Sequence, residues 1–217
     1  MQKFLMRSSL FLKCLMLLFL WFGVSVRIIG QHKGNVHEHR TCIISIFDSS
    51  FQKALYKGSL DISKHHLTGL FYLKRISENS VRIAFSNELG MSYFDLEINN
   101  DKLIIHSCFP SLRRTSLLHL IENDFRLLLV PDTTVIKIKH GKSKDPALLV
   151  FGVTSARGTF YYTYKKDSGK ICRIKSSRAI IGKTDIRVYG YMRLQPVKVH
   201  ISNPTIHLQI HLTFLSN

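Results

Sequence analysis

From Ser50 onward the chain alternates between apolar and polar residues. Val81, Ile83 and Phe85 stand between Arg82, Ala84 and Ser86, and Phe94, Leu96 and Ile98 stand between Tyr93, Asp95 and Glu97. A period of two sends one set to a buried face and the other to water, as in half-buried β-strands. Toward the C-terminus Val197, Val199 and Ile201 oppose Lys198, His200 and Ser202. After an Asn203-Pro204 turn, Ile206, Leu208, Ile210, Leu212 and Phe214 oppose Thr205, His207, Gln209, His211 and Thr213. The same pattern predicts strands near 51–63, 67–77, 102–109, 133–140, 146–154, 158–166, 171–181 and 185–194. A sheet of about 10–11 strands must curl. The expected fold is therefore mainly β: a curved antiparallel sheet or incomplete β-barrel.

One segment breaks the period. Between Ser111 and Leu129, the residues Leu117, Ile121, Phe125 and Leu128 recur three or four apart, which predicts one internal helix with an apolar stripe and Ser111 as N-cap. Arg113 and Arg114 near its start oppose the helix dipole. A sheet with a single internal helix must cover its concave apolar face with that helix, a partner or a ligand. The residues expected to line an apolar cavity there are Val81, Ile83, Phe85, Phe94, Leu96, Ile98, Leu117 and Ile121.

The N-terminus differs from the rest. Lys3, Arg7 and Lys13 precede an uninterrupted apolar run from Cys14 to Val26, too short for a comfortable membrane span of about 20 residues. This hydrophobic leader helix reads as a signal peptide ending near Gly30, or as an anchor stretching from Ser9 to Gly30 with Lys13 and Arg27 at its ends. The expected organisation is a leader at 1–30, a His- and Gly-rich linker at 31–49, and a single β half-barrel domain at 50–217. Either reading of the leader exports the body.

Charge then narrows the partners. The 217 residues hold 31 Lys and Arg against 14 Asp and Glu, a formal net charge of +17. Such a body is drawn to polyanions, and export selects an anionic membrane surface over nucleic acid. Of four cysteines, Cys14 lies in the leader, and Cys42, Cys108 and Cys172 leave the disulfide pairing open. His207 and His211 share one strand face with His200 opposite or nearby, so three imidazoles could meet there, but no carboxylate or cysteine completes a metal site, and no metal or cofactor is expected. Asp95 and Glu97 lie on one strand face and read better as ion-pair partners of Arg82 than as a catalytic couple. Tyr161, Tyr162 and Tyr164 beside Lys165 and Lys166 form an aromatic and basic stretch. No nucleophile elbow, P-loop or dinucleotide fingerprint occurs, so no catalytic residues are expected.

Thr68-Gly69-Leu70 opening a strand, Val81 to Phe85, and the turn Asn87-Glu88-Leu89-Gly90 leading into the strand from Tyr93 make the stretch from Leu67 to Pro131 resemble the LolA/LolB-like lipoprotein carriers of Gram-negative envelopes. Pro196 to Leu212 is similar to that family's closing strands. The resemblance implies an incomplete barrel with a helical lid over a cavity for acyl chains. It also implies a membrane-contacting leucine in the turn between the third and fourth strands, where Leu89 stands, flanked by Met91. A hairpin turn closed by Gly90 with Leu89 packed inward is the other reading of that segment. Glu88 replaces the proline of the receptor-type members, and no lipobox precedes Cys14. The expectation is a non-enzymatic protein exported to the periplasm or a membrane of the envelope, binding lipid or lipoprotein acyl chains. The alternative is an interaction or assembly module whose core is filled.

Overall fold

In the computed structural model the described residues are 46–47, 50–130, 135–179 and 183–216. The readings of residues 1–30, of Cys14 and of Cys42 fall outside them. Five strands come first: β1 (Lys53–Ile62), β2 (His65–Ser77), β3 (Ser80–Ser86), β4 (Ser92–Asn99) and β5 (Lys102–Cys108). A 3-10 turn, Pro110–Leu112, leads into helix α1, Thr115–Leu129. Seven strands follow: β6 (Val135–Gly141), β7 (Leu148–Ser155), β8 (Gly158–Lys165), β9 (Ile171–Ala179), β10 (Asp185–Met192), β11 (Gln195–Asn203) and β12 (Leu208–Ser216).

All twelve strands form one antiparallel sheet in the order β5-β4-β3-β2-β1-β12-β11-β10-β9-β8-β7-β6. The first and last strands meet at its middle, Leu60 opposite Ile210. Each half is a meander, and α1 carries the chain from one outer edge, β5, to the other, β6. The ladder does not close those edges on each other, so the architecture is an open half-barrel. The twelve strands correspond to the twelve segments that the alternation marks, the closing hairpin among them, with β12 pairing with both β11 and β1.

Curvature has a local cause. Gly58 and Gly69 face each other across β1 and β2. A Cβ on Gly69 would stand 1.9 Å from the Ser86 carbonyl oxygen, and one on Gly58 2.3 Å from that of His211. Two glycines in register let neighbouring strands approach and the sheet bend at its centre. The bend produces the concavity that α1 fills. Phe71 stacks on Phe85 with ring centroids 3.9 Å apart and lies 6.1 Å from Phe125 of α1, so aromatic packing ties helix to sheet.

Two boundaries differ from the expected ones. Ser111 belongs to the 3-10 turn and does not cap the helix; Arg113, at φ −77° and ψ 40°, breaks the helical path, and Arg114 is the N-cap with no side-chain hydrogen bond. The last strand starts at Leu208, because Asn203 Oδ1 accepts the Thr205 N–H and His207 takes φ +52°. Ile206 and His207 thereby leave the strand alternation. Ile46 and Phe47, inside the stretch read as linker, are buried, and the Phe47 N–H donates to Leu128 O at 3.4 Å.

Candidate functional site

The concave face is covered by α1. Val81, Ile83, Phe85, Phe94, Leu96, Ile98 and Ile121 have no exposed surface, and Leu117 retains 3%. The structure thus brings all eight residues expected to line a cavity into one apolar core. Of the eight, Leu117 alone also faces the pocket described below.

Polar side chains pin the helix at its C-terminal half. Arg126, nearly fully buried, donates to Glu122 Oε1 at 2.5 Å and to the Asn100 carbonyl in the β4–β5 turn. Asp101 of that turn also accepts from Arg157 of the β7–β8 turn at 3.0 Å. Turns from opposite halves of the sheet therefore meet beside α1. Asp124 is completely buried; its Oδ1 accepts from the Thr184 hydroxyl at 2.8 Å, while Oδ2 has no partner. Burial pushes its carboxyl up to about 7, against the smaller opposing effect of the Thr184 hydrogen bond. Asn203 donates to the same hydroxyl at 3.4 Å. Arg75 of β2 reaches the Leu129 carbonyl at 3.4 Å, a cation at the negative end of the helix.

The N-terminal end of α1 is different. A pocket of about 410 Å³ opens where the β1–β2 turn, the β11–β12 turn and the start of α1 converge. Its apolar lining is Ile62, Leu112, Leu117 and Ile206, and its rim carries Lys64, His65 and Arg114. The first turn of α1 contains no acid and Arg114 caps nothing, so the positive helix end there is uncompensated. The volume lies within the range of small-molecule sites. Register explains the convergence: β1 pairs with β12 through Ile62 opposite Leu208, which sets the two turns side by side. The sequence reading missed Ile62, Lys64 and Ile206 as pocket residues, since that pairing joins residues 146 positions apart. It noticed Arg114 only as an unfavourable neighbour of the dipole, whereas Arg114 faces the pocket.

Leu89 stands at the tip of the β3–β4 turn with 94% of its surface exposed, and Met91 with 48%. The turn is held from within: Asn87 Oδ1 accepts the N–H groups of Leu89 at 3.0 Å and Met91 at 2.8 Å, and Gly90 takes φ +85°. Leu89 therefore projects from the hairpin and does not pack into it. Glu88 pairs with Lys57 at 3.0 Å on the surface.

The other candidate groups have structural partners. Arg82 grips Asp95 through two hydrogen bonds, 2.8 and 2.6 Å. Glu97 accepts from Ser80 and pairs with His106, and these contacts hold it below the usual carboxylate range. His200 and His211 stack with centroids 4.2 Å apart, while His207 sits in the turn, so the three do not converge. Cys108 and Cys172 are free thiols, each pushed up by burial. Tyr162 and Tyr164 point into the core and Tyr161 outward, so the pleat divides the aromatic stretch. Among the described residues no helix is long and apolar enough to cross a membrane.

The open antiparallel half-barrel with one helix in its concavity has counterparts among solved structures. The model is similar to a LolA superfamily protein from Nitrosomonas europaea, with a TM-score of 0.57 at 6% identity over 82% of this chain and 89% of that one. A domain assigned to outer membrane lipoprotein sorting from Vibrio parahaemolyticus gives a TM-score of 0.47 at 8% identity over 82% and 88% of the two chains. No protein-family model matches the sequence, and no curated protein matches it. The chain is thus a distant LolA/LolB-like relative in fold.

Proposed function

We propose that this protein is a non-enzymatic envelope module that takes up acyl chains of a lipid or lipoprotein, in the periplasm or at a membrane of a Gram-negative envelope. The observation that carries the proposal is the pocket at the start of α1, four apolar side chains beneath a basic rim and an uncompensated helix N-terminus. That arrangement suits an anionic amphiphile. Alkyl burial contributes about 0.8 kcal/mol per methylene, and the rim attracts the head. Leu117 links the pocket to the seam beneath α1, so a longer chain would displace the helix and run along Val81, Ile83, Phe85, Phe94, Leu96, Ile98 and Ile121. Leu89 and Met91 form the membrane-contacting turn in this account. The LolA-like fold supports the same reading.

The test is displacement of a fluorescent fatty acid from the purified domain. Ile206→Glu, which puts a charge among the apolar lining, and the pair Lys64→Glu with Arg114→Glu should each weaken binding at least tenfold. No uptake by the unaltered protein, or equal uptake by all three, overturns the proposal. The complete burial of seven of the eight core residues favours a second reading, an assembly module with a filled core; absence of uptake would select it.

A further inference from the structure

Charge is distributed unequally between the two halves of the sheet. Residues 50–112, which hold β1 to β5, contain 7 Lys and Arg against 6 acids; residues 135–216, which hold β6 to β12, contain 15 against 3. The second half therefore carries +12 of the total +17.

Strand register gathers this charge on the face turned away from α1. One row runs Lys139, Gly152, Tyr161, Lys175, Asp185 across β6 to β10. The next runs Thr163, Arg173, Arg187, His200. A third pairs Tyr189 with Lys198 and continues through Thr213 to Lys57, beside the turn that carries Leu89. Lys139, Lys175, Arg187 and Lys198 are exposed, as are Tyr161 and Tyr189. Asp185 is the acid within these rows. It is bound by Arg173 at 2.7 and 2.5 Å and by Arg187 at 3.2 Å, so arginines already neutralise it where it stands opposite Lys175.

We infer that this outer face of β6 to β11 is a docking surface for an anionic phospholipid bilayer. A convex face offers no groove to track a nucleic-acid strand. It does present several cations at once to a layer of headgroups, each contributing about 1 kcal/mol near the surface. Tyrosines interleaved with cations match the composition of membrane interfaces. The third row ends at Lys57, whose partner Glu88 lies in the turn that carries the exposed Leu89, so the charged surface runs up to that turn. The inference rests on the proposed envelope address only in choosing lipid over another polyanion.

The experiment is co-sedimentation of the folded domain with phosphatidylcholine vesicles, with and without phosphatidylglycerol. The unaltered protein should sediment with the phosphatidylglycerol vesicles and be released by salt. The triple variant K139E/K175E/K198E should bind at least tenfold more weakly at an unchanged melting temperature. A triple variant on the other half, K53E/K74E/K102E, changes net charge equally and should bind within about twofold of the unaltered protein. Equal loss in both variants, no dependence on phosphatidylglycerol, or tighter binding to heparin or RNA than to the vesicles would overturn the inference. Fatty-acid uptake by the same proteins separates the two claims: vesicle binding without uptake removes the carrier reading and leaves the docking face standing.

Discussion

Asp124 is a carboxyl held in full burial with one of its two oxygens unpartnered. Its carboxyl is raised from 3.8 to about 7 in the fold, so between those values the folded protein holds a proton that the unfolded chain has lost. Stability from this group is fully present below pH 4, falls as pH rises through the window, and is gone above about pH 7, a loss on the order of a few kcal/mol. His200, pushed down by burial, His211 and Arg187, contributes the opposite slope, stability rising with pH as it titrates. The group's own effect is therefore the difference from Asp124→Asn. Urea midpoints measured between pH 4 and 8 should show the variant gaining on the unaltered protein as pH rises. Gly69→Ala tests the bend, because its Cβ meets a carbonyl oxygen at 1.9 Å that no rotamer change can clear. A loss of at least about 1–3 kcal/mol is expected by denaturant titration. Leu89→Ser should leave stability within about 0.5 kcal/mol, while weakening vesicle association.

At the level of elements, α1 is fastened by polar contacts at one end. Arg126, Asp124 and Arg75 fix its C-terminal half, whereas its N-terminal turn borders the pocket. Phe125→Ala removes the ring against Phe71 and should cost about 3–5 kcal/mol in thermal or denaturant unfolding. Arg126→Ala leaves the buried Glu122 with only the half-exposed His119 at 3.1 Å and frees the Asn100 carbonyl, and should cost about 3 kcal/mol. Periodicity made the elements legible: Phe94, Leu96 and Ile98 alternate, and Leu117, Ile121 and Phe125 recur at helical spacing, and each set is buried as expected. Boundaries were less legible where backbone conformation overrode pattern, as at Arg113 and His207. The pins were not legible, because Asp124 and Thr184, or Arg126 and Asn100, become neighbours only when the sheet curls.

For the whole molecule, the sheet holds two unlike surfaces. The concave side is an apolar core with a basic-rimmed opening at one end of the helix; the outer side of β6 to β11 concentrates positive charge. The total of +17 was legible from composition; strand order then sets the residues that carry +12 of it side by side, with β6 to β11 together beyond β12. The resemblance carried by Thr68-Gly69-Leu70 and Asn87-Glu88-Leu89-Gly90 is matched by the fold, with Gly69 at the bend and Leu89 at an exposed tip. An open half-barrel differs from a filled module in what it holds after purification. The central measurement is native mass spectrometry with lipid extraction on the protein purified from a Gram-negative envelope. The account predicts a stoichiometric lipid or acylated peptide, lost in Ile206→Glu. Protein that emerges without cargo and ignores added fatty acid would contradict it.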